Sequence, residues 1–272
     1  MLSIWTTSDG LRVEVTAAPP GVYLDCCALR RIADTPDLAE PLLQRLAVGG
    51  TLVLSIAHLM EFSRQDPGPS LDRLRALFHR VGSAFTFVES SISKVIERWR
   101  ADPEHDEVAA SFDTEMAIAY ALVDPLRTGP STAEYLVDFA TEMGPRDRDR
   151  VEETKQHVRR AIQLAHDASR ARDARRRVPP THGLRSADCF QMMLLHAFRD
   201  PRPFDDNDAL DIVHASVPLA MCEFVVLDKE WAHYARQVPR PPRHADVFPA
   251  TPEGLTRFLD ALEAWTPAPE VK

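Results

Sequence analysis

The chain has 272 residues, 44% hydrophobic and 27% charged, with a formal net charge of −9. That composition belongs to a folded globular protein of one large or two small domains, and it excludes disordered and collagen-like chains. No apolar run approaches the roughly 20 residues that cross a bilayer, so no membrane partner is expected. Met1–Thr6 lacks a basic stretch followed by an apolar one, which predicts no signal peptide. Cys26, Cys27, Cys189 and Cys222 form no CxxC pair and no disulfide-like framework, a usage that fits a reducing cytoplasm.

In chain order, Ile4 to Thr16 alternates loosely around Ser8-Asp9-Gly10 and predicts an edge hairpin. Val22-Tyr23-Leu24 reads as a buried strand that ends at Asp25. Helical patterns follow at Ala28–Ala33 and Asp37–Leu46, broken by Gly49-Gly50. Thr51–Leu54 is a second apolar strand, and Ser55 is placed to cap a helix carrying His58, Glu61 and Phe62. After Asp66-Pro67-Gly68-Pro69 the pattern turns helical up to about Asp200, apart from a short strand at Ala84–Val88. The expected helices are Ser70–Val81, Ser90–Arg100, Glu107–Val123, Ser131–Met143, Asp147–Arg176 and Ser186–Phe198. Alternation of strand and helix then resumes, with a helix at Asp208–Val217 and strands at Cys222–Leu227 and Ala245–Phe248. A last helix opens at Thr251-Pro252-Glu253, with proline at its first position, and runs through Ala264. The pattern predicts an α/β protein with a parallel central sheet flanked by helices. Residues 1–66 and 201–272 form its two halves, separated by a large all-helical insertion at 67–200.

Four acids stand out because of where this pattern puts them. Asp25 and Asp228 end strands, and Glu61 follows one within a short helix. Asp211 lies one turn into the Asp208–Val217 helix, on the same side as Asp208 and the small Ala215, opposite Leu210, Val213 and Val217. Parallel sheets bind ligands beyond the carboxyl ends of their strands, so these side chains are expected to meet. Two carboxylates about 4 Å apart repel by roughly 4 kcal/mol at an effective dielectric near 20. Four in one cleft therefore need protons or divalent cations, which points to metal-assisted hydrolysis.

His214 stands three residues after Asp211 and is placed to bond it or touch substrate; its bland reading is a satisfied structural histidine. Asp208 reads equally as a helix cap or a partner of the helix dipole. His58-x-x-Glu61 has the spacing of half a metal pair without HExxH around it. Between Pro145 and Val178 eleven basic residues outnumber six acids, a local excess of +5 that leaves −14 for the rest. That arm is either a solvated, ion-paired helix or a polyanion-binding element. Ala109–Val123 and Ala133–Met143 are apolar enough for the core or for self-association.

Four segments in order, Val22–Leu29 (VYLDCCAL), Leu52–Phe62 (LVLSIAHLMEF), Asn207–Trp231 (NDALDIVHASVPLAMCEFVVLDKEW) and Val247–Leu255 (VFPATPEGL), together resemble a PIN-like nuclease domain. The resemblance covers roughly residues 20–66 and 205–260 and gives the central sheet a PIN-like identity. It implies a site in which Asp25, Glu61, Asp211 and Asp228 are both catalytic and ligands of Mg²⁺ or Mn²⁺. Asp208, His214 and Glu230 would stand in an outer shell, and Arg170, Arg172, Arg175, Arg176 and Arg177 would contact substrate phosphates. The implied activity is phosphodiester hydrolysis by a cytoplasmic, perhaps-toxin-like or RNA-processing ribonuclease, with RNA ahead of DNA as substrate and a homo-oligomer or antitoxin-like protein as candidate partner. Leu227 stands where the family usually has Thr or Ser, and Lys229 where many members have Asp. These departures keep two alternatives open: a catalytically degenerate RNA- or protein-binding module, and a structure-specific DNA nuclease.

Overall fold

The computed structural model describes residues 2–7, 10–101, 107–123, 129–130, 132–142, 152, 156, 160, 183–199 and 206–267. Five strands build the central sheet: β3 (Gly21–Leu24), β4 (Thr51–Ser55), β5 (Phe85–Val88), β7 (Phe224–Leu227) and β8 (Asp246–Pro249). Their order is β5-β4-β3-β7-β8 and every neighbouring pair is parallel. A parallel sheet must be covered on both faces, because its crossover helices lie there. Strand residues accordingly feed two cores in alternation. Val22, Leu24, Leu54, Phe85, Phe87 and Val226 face one, and Tyr23, Val53, Val225 and Leu227 face the other.

The first core is closed by α1 (Cys26–Asp34), α2 (Pro36–Val48), α3 (Ile56–Ser63), α4 (Pro69–Val81) and α12 (Pro252–Ala264). The second is closed by α9 (Arg185–Arg199), α10 (Asp206–Met221) and α11 (Lys229–Gln237). Gly49 and Gly50 turn α2 into β4 at φ of +143° and +139°, a region open to glycine but not to side chains with a Cβ. Thr251 caps α12 and accepts from the Gly254 amide, with Pro252 in the first turn, as the sequence predicts.

The segment between β4 and α10 is not wholly an insertion. The strand expected at Ala84–Val88 is the edge of the central sheet, and α4 packs on α1 and α2. The sheet unit therefore runs past residue 66. The single helix expected over Glu107–Val123 is two, α6 (Glu107–Ser111) and α7 (Thr114–Val123), preceded by α5 (Ile92–Ala101). Phe112 bridges to Val88, and Asp113 caps α7 by accepting from the Met116 amide. Residues 136–142 form α8 after a 3₁₀ turn at Ala133–Tyr135. Met116, Ala117, Tyr120, Leu136, Val137 and Phe139 are buried, so both apolar segments serve the core, while Ile118 and Leu122 stay exposed.

The hairpin of β1 (Leu2–Thr7) and β2 (Gly10–Val15) does not edge the central sheet. It forms a separate three-stranded sheet with β6 (Gly129–Pro130). No described helix is long and apolar enough to cross a membrane. The helix expected over 147–176, with its five site arginines, lies outside the described residues save for positions 152, 156 and 160.

Candidate functional site

The chain leaves β3 toward β4 on one side and returns to it from the other as β7, some 200 positions later. Such a reversal of strand order opens a crevice at the carboxyl ends of the two central strands. Asp25 and Asp228 stand there. The Asp25 amide donates to the Val226 carbonyl at 2.9 Å, which continues the ladder to the last residue of β3's run. Each acid then caps the helix that follows its strand. Asp25 Oδ1 accepts from the Ala28 amide at 2.6 Å, and Asp228 Oδ1 accepts from the Glu230 and Trp231 amides, both at 2.8 Å. Capping holds these carboxylates at helix N-termini, where the backbone dipoles favour negative charge.

Glu61 comes from α3, itself started by Ser55, and its Oε2 receives the Arg30 guanidinium of α1 at 3.4 Å. Both side chains of that pair are more than a third exposed, 39% and 37%, so it is an ion pair open to exchange with solvent or ligand. Asp211 comes from α10. Its helix is longer than predicted and starts at Asp206, so Asp208 lies in the first turn rather than at the cap. The helix has no solvent-facing side to match the predicted two-sided pattern: Asp208, Ile212, His214, Ala215, Ser216 and Val217 are all buried. The side chains of Leu210 and Val213 lie outside the described set.

Asp25, Glu61, Asp211 and Asp228 line a single cavity of about 170 Å³, together with Tyr23, Cys26, Cys27, Arg30, His214, Leu227 and Trp231. Burial pushes Asp211 up to about 8, and the charges of Asp228, Asp25, Glu61 and Asp208 add to that. Asp25 rises to about 7, chiefly by burial and then by Asp228 and Glu61, against the amides of Ala28 and Asp228, which hold it down. Burial and the neighbouring acids also push the Cys26 and Cys27 thiols upward, which leaves them poor nucleophiles. The cavity thus gathers carboxylates that resist full ionisation near neutral pH.

No family model, curated protein or solved structure matches the chain. The chemistry of the cavity itself carries the functional reading.

Carboxylate oxygens are the donors that Mg²⁺ and Mn²⁺ take, and a dication would remove the repulsion that lifts Asp25 and Asp211. In charge and donor type the residues fit such an ion. Among the described residues, however, no three acidic, histidine or cysteine side chains are grouped to ligate one ion as they stand. Asp25 and Asp228 are turned to helix amides and Glu61 to Arg30. Holding a metal requires Glu61 to leave Arg30.

His58 is not half of a metal pair. Its Nε2 bonds the Leu24 carbonyl at 2.7 Å, and its Nδ1 accepts from the Ser55 amide at 3.0 Å, closing a capping box for α3. His214 Nδ1 pairs with the Tyr23 hydroxyl at 2.9 Å. Glu230 does not line the cavity, and its Oε1 receives the Tyr234 hydroxyl at 3.4 Å. Arg30 and Tyr23 went unpredicted as site residues. A tyrosine inside an apolar strand, whose hydroxyl must find a partner when buried, was the available signal for the second.

Proposed function

We propose that the chain is a PIN-like nuclease domain that hydrolyses phosphodiester bonds with Mg²⁺ or Mn²⁺, RNA being its first substrate class. One observation carries the reading. Four acids from elements scattered between residues 25 and 228 line one cavity, at the point where a five-stranded parallel sheet reverses its strand order. Sequence resemblance at the same four positions supports it. Asp25, Glu61, Asp211 and Asp228 would hold the ion, and a bound ion there would acidify a water and offset the negative charge of the phosphate.

The chain's own residues divide the remaining work. Asp25 and Asp228 are fixed by their helix caps, so their carboxylates are pre-aimed. Asp211, raised by burial, accepts a proton readily near neutral pH. Once Glu61 has turned to the ion, Arg30 is a half-exposed guanidinium on the cavity wall, suited to a phosphate oxygen. Leu227 and Trp231 bring apolar surface to the cavity and limit the water that enters it.

Asp25→Asn and Asp211→Asn are expected to lower Mn²⁺-dependent cleavage of single-stranded RNA by at least about a hundredfold, with circular dichroism unchanged. Wild-type rates in both variants would remove these carboxylates from the mechanism. A binding module without catalysis is favoured by the Glu61–Arg30 pair, which fills one ligand position with a cation of the protein's own. Calorimetry in which Mn²⁺ does not bind, together with absent cleavage, selects that reading. Single-stranded DNA and flap duplexes assayed beside RNA distinguish the DNA nuclease.

A further inference from the structure

A directed chain of hydrogen bonds ends on the cavity wall and fixes the state of a residue outside the four acids. It starts at the Leu24 carbonyl, which can only accept, so His58 Nε2 carries the proton of the 2.7 Å bond between them. His58 is neutral, because burial pushes it down to about 4, and its Nδ1 is therefore a bare acceptor. It takes the Ser55 amide at 3.0 Å and the Ser55 hydroxyl at 3.2 Å. With its proton spent, Ser55 Oγ can only accept, and the Tyr23 hydroxyl donates to it at 3.5 Å. Tyr23 in turn has only lone pairs left, so the 2.9 Å bond to His214 is donated by His214 Nδ1–H. The opposite polarity at Tyr23 would forfeit the bond to Ser55. His214 Nε2 is thus left as an unprotonated lone pair.

That nitrogen has no hydrogen-bond partner, although its residue is only 7% exposed and stands on the cavity wall. A buried acceptor left unmade costs about 1–3 kcal/mol, and carboxylates, its neighbours in the cavity, cannot donate to it when ionised. A cation can satisfy it. Asp211 and His214 are three residues apart on α10 and so share a face. An acid and a histidine at that spacing on one helix can serve one metal, as in carboxylate-bridged helical bundles.

We propose that His214 Nε2 is a nitrogen ligand of the divalent ion in this cavity, making the centre a mixed nitrogen and oxygen site that prefers Mn²⁺ to Mg²⁺. The proposal rests on the metal-site reading above. Imidazole is a poor donor for Mg²⁺ and a better one for later divalent ions of the first row. Its tautomer is set by Tyr23, as the unligated ring nitrogen of a metal-bound histidine is set by its own partner.

The test uses the whole chain and the metals alone. Calorimetry should show Mn²⁺ binding about tenfold or more tighter than Mg²⁺, and His214→Gln should erase most of that preference while leaving Mg²⁺ binding within about twofold. Pulsed electron paramagnetic resonance of the Mn²⁺-loaded wild type should show nitrogen coupling from one imidazole. This measurement needs no variant and so survives if His214→Gln fails to fold. Mn²⁺ bound without nitrogen coupling overturns the role of His214 and leaves the carboxylate site standing. Absence of binding by either ion overturns both.

Discussion

Both ring nitrogens of His58 are committed, one to the end of β3 and the other to the start of α3, and the ring can take no proton without losing a bond. Its pKa falls to about 4, burial being the main cause, against 6.5 in the unfolded chain. Between those values the unfolded state binds the extra proton, so stability rises with pH across this window. The contribution is full above about 6.5 and lost as the pH falls to 4, amounting to roughly 3 kcal/mol. Urea denaturation from pH 4 to 7 should show this slope in wild type and a shallower one in His58→Gln. Equal slopes would mean that His58 does not titrate with unfolding. The spacing His58-x-x-Glu61 points toward metal binding, and the structure turns it to helix capping for a reason no local spacing carries. The carbonyl that Nε2 meets belongs to Leu24, 34 positions away. Asp25 and Asp228 were legible because apolar triplets mark the strands they end. Arg30 was not, since on a helix an isolated arginine looks the same whether it faces water or an acid of another element.

The junction of α12 with β8 depends on having no side chain at Gly254. A Cβ there would lie 2.7 Å from Pro249 Cγ and would also collide with the Pro249 carbonyl oxygen, which is backbone and cannot move aside. Gly254→Ala should destabilise by about 2 kcal/mol or more, the usual cost of overpacking, despite alanine's better helix propensity; a thermal melt checks it. At the other edge of the sheet, Glu89 follows β5 with 1% exposure and is met by Arg98 of α5 at 3.2 Å and more distantly by Lys94 at 4.0 Å. Burial and then Asp113 push its carboxyl upward. Arg98→Ala should therefore cost about 3 kcal/mol in denaturant titrations, because a buried carboxylate loses its partner, and Glu89→Gln in the same background should recover part of it. The elements around this network show where local pattern fails. Glu107–Val123 has continuous helical composition, yet Phe112 and Asp113 are drawn out of it to meet Val88 and Met116. β5 was readable as a strand, but its place at the edge beside β4 follows from pairing, which leaves no mark in a single sequence.

Over the whole molecule the cavity works against stability while it holds only its own charges. Asp25 and Asp211, at about 7 and 8 against an ordinary 3.8, bind protons more tightly folded than unfolded. Their contribution is present below about 4 and is lost as the pH rises through 7 to 8. In EDTA at pH 8, Asp211→Asn should accordingly be more stable than wild type by on the order of 1 kcal/mol or more, with the gap closing toward pH 4. Saturating Mn²⁺ should reverse the order, since ligand at a hundred times its Kd adds about 2.7 kcal/mol to the form that binds it. Denaturation curves at both pH values with and without the ion decide it. A variant no more stable than wild type in EDTA would mean that the carboxylates do not strain each other.

The ladder that joins β3 to β7 ties residues such as Tyr23 and His214, 191 positions apart. During synthesis the first half of the pocket emerges with Asp25 and Glu61 but has nothing to close against until β7 has left the ribosome. Every shorter nascent chain carries two of the four acids at most, together with an unpaired edge on β3. Whatever chemistry the finished pocket performs is therefore withheld from the growing polypeptide, and from any message still being read to make it.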